Sequence, residues 1–172
     1  MDTIILIGYM GCGKSRVGKA LSQSVDIPYV DLDSYIEKQE KMSVKSIFER
    51  KGELYFRKKE RTYLEKLLLQ KDPIVLSLGG GTPCYYDSMD LITNSNAHSI
   101  YLKASIKTLA DRLFKERNKR PMISHINNEE VLLEYIGKHL FERLPFYSKA
   151  DHSVSVDSDT PEELALKIKN LF

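Results

Sequence analysis

The residues best equipped for chemistry stand near the N-terminus. Gly8-Tyr9-Met10-Gly11-Cys12-Gly13-Lys14-Ser15 satisfies the pattern G-x-x-x-x-G-K-[ST] at every fixed position. Glycines in such a loop let backbone N–H groups turn inward around phosphate oxygens, and a helix opening at its end adds the positive end of its dipole. Gly11, Cys12, Gly13, Lys14, Ser15 and Arg16 are therefore expected to bind ATP, with Lys14 reaching the β- and γ-phosphates and the Ser15 hydroxyl holding Mg²⁺.

A phosphate loop leaves the phosphate acceptor open, so other residues must decide between kinase, hydrolase and switch. Asp31 and Asp33 lie two apart at the end of an expected strand, and side chains two apart in an extended chain point the same way. Asp31 suits a hard cation beside the phosphates, often through water, and Asp33 suits the base that an acceptor hydroxyl needs. The same spacing also occurs in solvated acidic turns. Arg57 and Arg143 are guanidiniums able to grip a carboxylate bidentately, although either alone is the kind of arginine usually found on a surface. Gly79-Gly80-Gly81 permits close backbone approach to a ligand, or a plain tight turn. Arg120-Pro121 lies in a polar, basic stretch where an arginine can close over a γ-phosphate; such loops otherwise simply meet water.

The elements that must position these residues follow from periodicity. Ile4 to Ile7 is a continuous apolar run, as in a strand buried on both faces, and Val17, Ala20, Leu21 and Val25 recur at helical spacing from Ser15 onward. A strand is expected over residues 29–32, followed by a polar turn, helical pieces at 35–39 and 43–50, and an amphipathic helix over 53–70. Further strands are expected at 74–78, 99–102 and 152–156, and further helices at 106–114, 128–147 and from Pro161. Residues 115–128 are polar and basic with one proline, the composition of a functional lid. Five strands alternating with helices imply an α/β fold: a parallel sheet flanked on both faces, with ligands at the carboxyl ends of the strands.

Composition narrows the classes. A chain of 172 residues buries one sizeable core and is short for two domains, and 42% apolar with 29% charged residues is the balance of a globular protein. Net charge of only +2 argues against nucleic acid as the main partner. Two cysteines and four isolated histidines make neither a disulfide framework nor a metal-ligand spacing. No secretion signal and no membrane-length apolar run is visible, so a cytoplasmic protein without a membrane partner is expected.

Taken together these residues resemble the shikimate kinase family. The pieces that carry the likeness are Gly8-x-Met10-Gly11-x-Gly13-Lys14-Ser15-x-x-Gly18, Asp31-x-Asp33, Ile47-Phe48-x-x-x-Gly52-Glu53-x-x-Phe56-Arg57-x-x-Glu60, Gly79 to Gly81, Arg120-Pro121 and Arg143-x-Pro145-x-Tyr147. The resemblance implies a three-layer P-loop NTPase fold, one kinase domain over residues 1–172, an acceptor-binding helical segment at about 33–61 and a lid at about 113–127. It implies ATP and Mg²⁺ as cofactors, shikimate as acceptor at its 3-hydroxyl, a place in aromatic amino acid biosynthesis, and a monomer. It assigns Lys14, Asp33 and Arg120 to catalysis and Ser15 and Asp31 to the metal. Asp33, Arg57, Arg143 and the glycines Gly79, Gly80 and Gly81 fall to shikimate, and Phe48, Phe56 and Glu60 line or brace its pocket. Arg112 matches the arginine that packs on adenine, with a spacing to Arg120 about one residue longer than in some members. Cys12 occupies a variable loop position where a modified thiol would crowd the phosphates. Kinases for another small acid or polyol such as gluconate, nucleoside monophosphate kinases, and a non-catalytic nucleotide switch are the competing readings. The Asp-Gly-aromatic-Pro-Arg segment of the nucleoside monophosphate kinases is missing, and a switch would have no use for the full set Lys14, Ser15, Asp31, Asp33 and Arg120.

Overall fold

The computed structural model describes residues 2–172. Five strands, β1 (Ile4–Ile7), β2 (Tyr29–Asp31), β3 (Val75–Ser77), β4 (His98–Lys103) and β5 (His152–Ser155), form one sheet in the order β2-β3-β1-β4-β5. Every pairing is parallel, so each return passes through a crossover. All four side chains of β1 are fully buried, which is why this apolar run takes the centre: only a central strand covered on both faces removes every one of them from water. Each such burial contributes about 2 kcal/mol.

The helices are α1 (Lys14–Val25), α2 (Leu32–Glu40), α3 (Val44–Lys51), α4 (Glu53–Leu68), α5 (Ser88–Thr93), α6 (Ile106–Glu116), α7 (Glu129–Tyr147) and α8 (Pro161–Lys169). Polar caps set several starts. Asp31 accepts from the Ser34 N–H, Ser43 from Ser46, Ser105 from Thr108, and Asn128 from Glu130 and Val131, while Thr160 and Glu163 form a capping box. Helix α1 instead follows Gly13 at φ 101°, a left-handed conformation that glycine adopts without penalty.

One sequence expectation needs correction, and two further stretches carry structure that spacing alone did not announce. Residue 32 is helical, not the end of a strand, and no polar turn intervenes, because the Asp31 carboxylate caps α2 directly (3.0 Å to Ser34 N). The stretch between the triple glycine and β4 holds a 3₁₀ turn, Thr82–Cys84, and the six-residue α5, too short for periodicity to announce although Met89 and Ile92 are buried. Residues 113–116 of the segment expected to be a lid belong to α6, with Leu113 fully buried; beyond the turn Arg117–Lys119, Ile123 and Ile126 anchor the remainder in the core.

Helices α2, α3 and α4 are tied together by one carboxylate. Glu40 accepts from Tyr55 (2.6 Å) and Tyr63 (2.7 Å) and meets Lys51 (3.4 Å) and Lys59 (3.5 Å). The Tyr55 bond foremost, with those of Tyr63 and the two lysines, lowers its carboxyl to about 2 against the opposing effect of burial. This hub stiffens residues 33–61.

Gly18 lets α1 lie close to β2. A Cβ there would come 2.5 Å from Tyr29 Cε2 and 3.2 Å from Leu6 Cδ1, and neither a ring on a strand nor a core leucine yields easily. Gly18→Ala should therefore destabilise the protein by about 1–3 kcal/mol in urea unfolding, despite alanine's better helix propensity; unchanged or raised stability would show that Tyr29 can step aside.

Candidate active site

A cleft of about 610 Å³ opens at the carboxyl ends of the strands, where the chain leaves β1 through the glycine loop. Gly11, Cys12, Gly13, Lys14, Ser15 and Arg16 line it, as do Asp31, Asp33, Gly79, Gly80, Arg112 and Arg120. Lys14 lies across the loop, its Nζ donating to the carbonyls of Gly8 (2.7 Å) and Tyr9 (3.1 Å). Gly11 has φ 80°, and a Cβ there would meet Leu113 Cδ2 at 2.8 Å, so α6 seals the loop from behind. Cys12 is 1% exposed, with its Sγ 3.8 Å from Lys14 Nζ, so the thiol that would crowd the phosphates if modified is buried.

Asp31 and Asp33 share the site, but not through strand alternation. Asp31 is the cap of α2 and Asp33 sits in its first turn, so a helix start brings them together. Asp33 Oδ1 is buried without a hydrogen-bond partner. Burial foremost, then the charges of Glu60 and Asp31, pushes this carboxyl up to about 6, and Lys14 and Arg57 only partly offset them. The cleft thus holds a carboxyl of raised proton affinity within the field of the phosphate-loop lysine.

Beyond Gly80 stand the guanidiniums. Arg57 Nη1 donates to Glu60 Oε2 (2.8 Å), and Glu60, 1% exposed, accepts from Thr82 Oγ1 (2.6 Å). Tyr85 covers the Arg57 guanidinium at 4.0 Å, and Arg57 Nε is buried with no hydrogen-bond partner. A Cβ on Gly81 would come 2.8 Å from Arg57 Nη2, and one on Gly80 3.3 Å from Arg143 Nη1, so the triple glycine is the floor on which both arginines rest. Tyr147 fixes that floor by donating to the Gly80 carbonyl (2.6 Å). Phe48 and Phe56 pack together behind Arg57, ring centroids 4.7 Å apart.

The other end of the cleft is framed by α6 and the β5–α8 connection. Arg112 donates to the carbonyls of Gly11 (3.3 Å), Cys12 (3.2 Å) and Val156 (3.3 Å), which ties the loop to that connection through in-plane bonds and leaves the flat face of the guanidinium for stacking. Arg120 is held by Glu116 (3.2 Å), one helical turn away. Val156, Asp159, Pro161 and Leu164 complete this wall. Sequence reasoning missed them, together with Ser77, Thr82, Tyr85, Tyr9 and His139, because none stands at a fixed position of a motif. The one visible signal was the four-residue spacing of Tyr135, His139, Arg143 and Tyr147 in a single helix.

The Tyr29 hydroxyl is buried beside Ser15, Ser77 and Asp31 yet hydrogen-bonded to none of them. Three hydroxyls and the Asp31 carboxylate make an all-oxygen set of the kind Mg²⁺ takes directly or through water.

The family model for shikimate kinase matches residues 10–172. The chain belongs to the shikimate kinase family. A shikimate kinase of Flavobacterium johnsoniae is 45% identical over 172 residues, covering 100% of this chain and 99% of the relative. The crystal structure of shikimate kinase from Bacteroides thetaiotaomicron superposes with a TM-score of 0.89 at 32% identity, covering 99% of this chain and 97% of that one. Shikimate kinase from Acinetobacter baumannii, solved in complex with shikimate, gives 0.84 at 28% identity, covering 99% and 92%. The five-stranded parallel sheet with flanking helices is thus the shikimate kinase fold, and among the described residues no helix is long and apolar enough to cross a membrane.

The raised Asp33 carboxyl has a stability consequence. The unfolded chain ionises this group near 3.8 and the folded chain near 6. Stability therefore falls as pH rises from about 4 to 6 and stays reduced above, by at most about 3 kcal/mol. Asp33→Asn should raise Tm at pH 7 by several degrees and have little effect at pH 4; a lower Tm at pH 7 would show that the charge is well compensated.

Proposed function

We propose that the protein, a cytoplasmic monomer, transfers the γ-phosphoryl group of ATP to the 3-hydroxyl of shikimate, giving shikimate 3-phosphate and ADP. The observation that carries this reading is the unpartnered Asp33 carboxylate, influenced by Lys14 on one side and Arg57 on the other. The family likeness supports shikimate in particular, and a site with two guanidiniums suits an acid better than a neutral polyol.

The phosphate loop grips the triphosphate through its backbone N–H groups, and Lys14 turns from its carbonyl partners toward the β- and γ-phosphates. Ser15, and Asp31 through water, would hold Mg²⁺, which when bound draws charge from the phosphate oxygens. Arg57 and Arg143 take the shikimate carboxylate, fixing the ring so that one hydroxyl meets Asp33. Asp33 accepts the hydroxyl proton as the new oxygen–phosphorus bond forms. The bond to the β-phosphate bridging oxygen breaks, and ADP leaves with that oxygen. Lys14 and Arg120 stabilise the charge on the passing phosphoryl group, Arg120 from the exposed stretch after α6. Arg112 offers its face to adenine.

A coupled assay of ADP release over shikimate, quinate and gluconate tests the assignment: turnover should need both shikimate and Mg²⁺. Acceptor-independent ATP hydrolysis, or a preference for gluconate, would overturn it. With shikimate, kcat/KM should fall about tenfold per pH unit below about pH 6 as Asp33 takes up its proton. Asp33→Asn should lower kcat by roughly 10²–10⁴. Arg57→Ala should chiefly raise the shikimate KM, by roughly tenfold or more, and an unchanged KM would remove Arg57 from the carboxylate site.

A further inference from the structure

Tyr9 occupies a position that the phosphate-loop pattern leaves free, yet it is one of the largest fully buried side chains, 1% exposed. Its backbone and its ring face different parts of the site. The carbonyl accepts from Lys14 Nζ (3.1 Å), on the phosphate side. The ring extends toward α7, where its hydroxyl bonds His139 Nδ1 at 2.9 Å. Burial, reinforced by Tyr135, raises the Tyr9 phenol, so it stays protonated, and burial and the Arg143 charge lower His139; the phenol donates to a bare Nδ1 and accepts from a protonated one, so either tautomer of the imidazole makes the bond.

The bond fixes the orientation of the ring. Tyr9 and His139 meet edge to face, with centroids 5.5 Å apart and planes at 86°, and Tyr135 packs against the same imidazole, also at 5.5 Å. One turn further along α7, Arg143 sets its guanidinium over the Tyr9 ring, 5.7 Å from the centroid. The place a Gly80 Cβ would occupy lies 3.3 Å from Arg143 Nη1. The guanidinium is thus held between an aromatic face and a glycine backbone, and the aromatic face is itself locked by a hydrogen bond spanning 130 residues.

We propose that Tyr9, locked by His139, is a positioning residue that aims Arg143 at the acceptor carboxylate and so helps to specify an acid as substrate. This rests on the reading of Arg143 as a carboxylate ligand given above. Tyr9 and His139 need not touch the acceptor. A guanidinium binds a carboxylate bidentately only in one plane, and a ring free to turn would let that plane wander.

The test compares shikimate with its methyl ester, which lacks the charge, in steady-state kinetics of the full chain. Tyr9→Phe keeps the ring and loses the bond, and should raise the KM for shikimate three- to tenfold; Tyr9→Leu, which loses the aromatic face, should raise it further. The KM for the ester and the KM for ATP should stay within twofold. His139→Leu should reproduce Tyr9→Phe, whereas His139→Gln, whose amide can donate or accept, should restore much of the affinity. Equal rises for acid and ester, a matching rise in the KM for ATP, or no change in any variant would overturn the proposal. Arg143→Ala separates the two levels of argument. If it fails to discriminate acid from ester, the carboxylate reading falls; if it discriminates and the Tyr9 and His139 variants do not, only the role of Tyr9 and His139 falls.

Discussion

A carboxylate withdrawn from water and given no partner is unfavourable, and the site is organised around tolerating one. Asp33 Oδ1 is in that condition, with Glu60 and Asp31 adding negative charge nearby and Lys14 and Arg57 opposing them. Had Asp33 been paired with Arg57, it would be a stable ion pair and a poor base. Glu60 prevents this by engaging Arg57 at 2.8 Å while Thr82 satisfies its other oxygen at 2.6 Å. The buried Glu60 thus takes the hydrogen bond of Arg57, and Asp33 Oδ1 is left without one.

Rigidity around this arrangement comes from separate devices at each end. On the acceptor side, Glu40 gathers Tyr55, Tyr63, Lys51 and Lys59, so that α4 brings Arg57 to the site as part of a tied three-helix unit. On the phosphate side, Arg112 binds the loop carbonyls to Val156 and Leu113 packs beneath Gly11. The face of α7 carrying Tyr135, His139, Arg143 and Tyr147 spans the two: Tyr9 meets it near the loop, and Gly80 receives Tyr147 at the floor. Between these tied regions, Arg120 is held only by a one-turn ion pair to Glu116 on a largely exposed stretch, the weakest kind of restraint in the cleft.

Much of this was legible in the chain itself wherever the governing chemistry is short-ranged. The glycine loop, the fully apolar β1, the helix expected over residues 106–114 and the helix opening at Pro161 each depend on residues within a few positions of one another, so order and spacing suffice. All five strands were placed this way. The strand-to-helix switch at Leu32 was not, because a three-residue edge strand and a capped helix differ there only by how one carboxylate is used. The six-residue α5 escaped for want of a repeat.

Residues 14, 33, 57, 112, 120 and 143 could be named from motifs, but their partners could not. Arg112 reaches Gly11 across 101 residues, Tyr147 reaches Gly80 across 67, and Tyr9 reaches His139 across 130. Such meetings follow from the strand order β2-β3-β1-β4-β5, which depends on how every apolar face in the chain is buried at once. Local residue chemistry dictates which groups can act as base, lysine clamp or carboxylate fork. Which of them are left unpaired, and so able to act, is settled by contacts between distant segments, since a neighbouring side chain either supplies a partner or excludes water without supplying one.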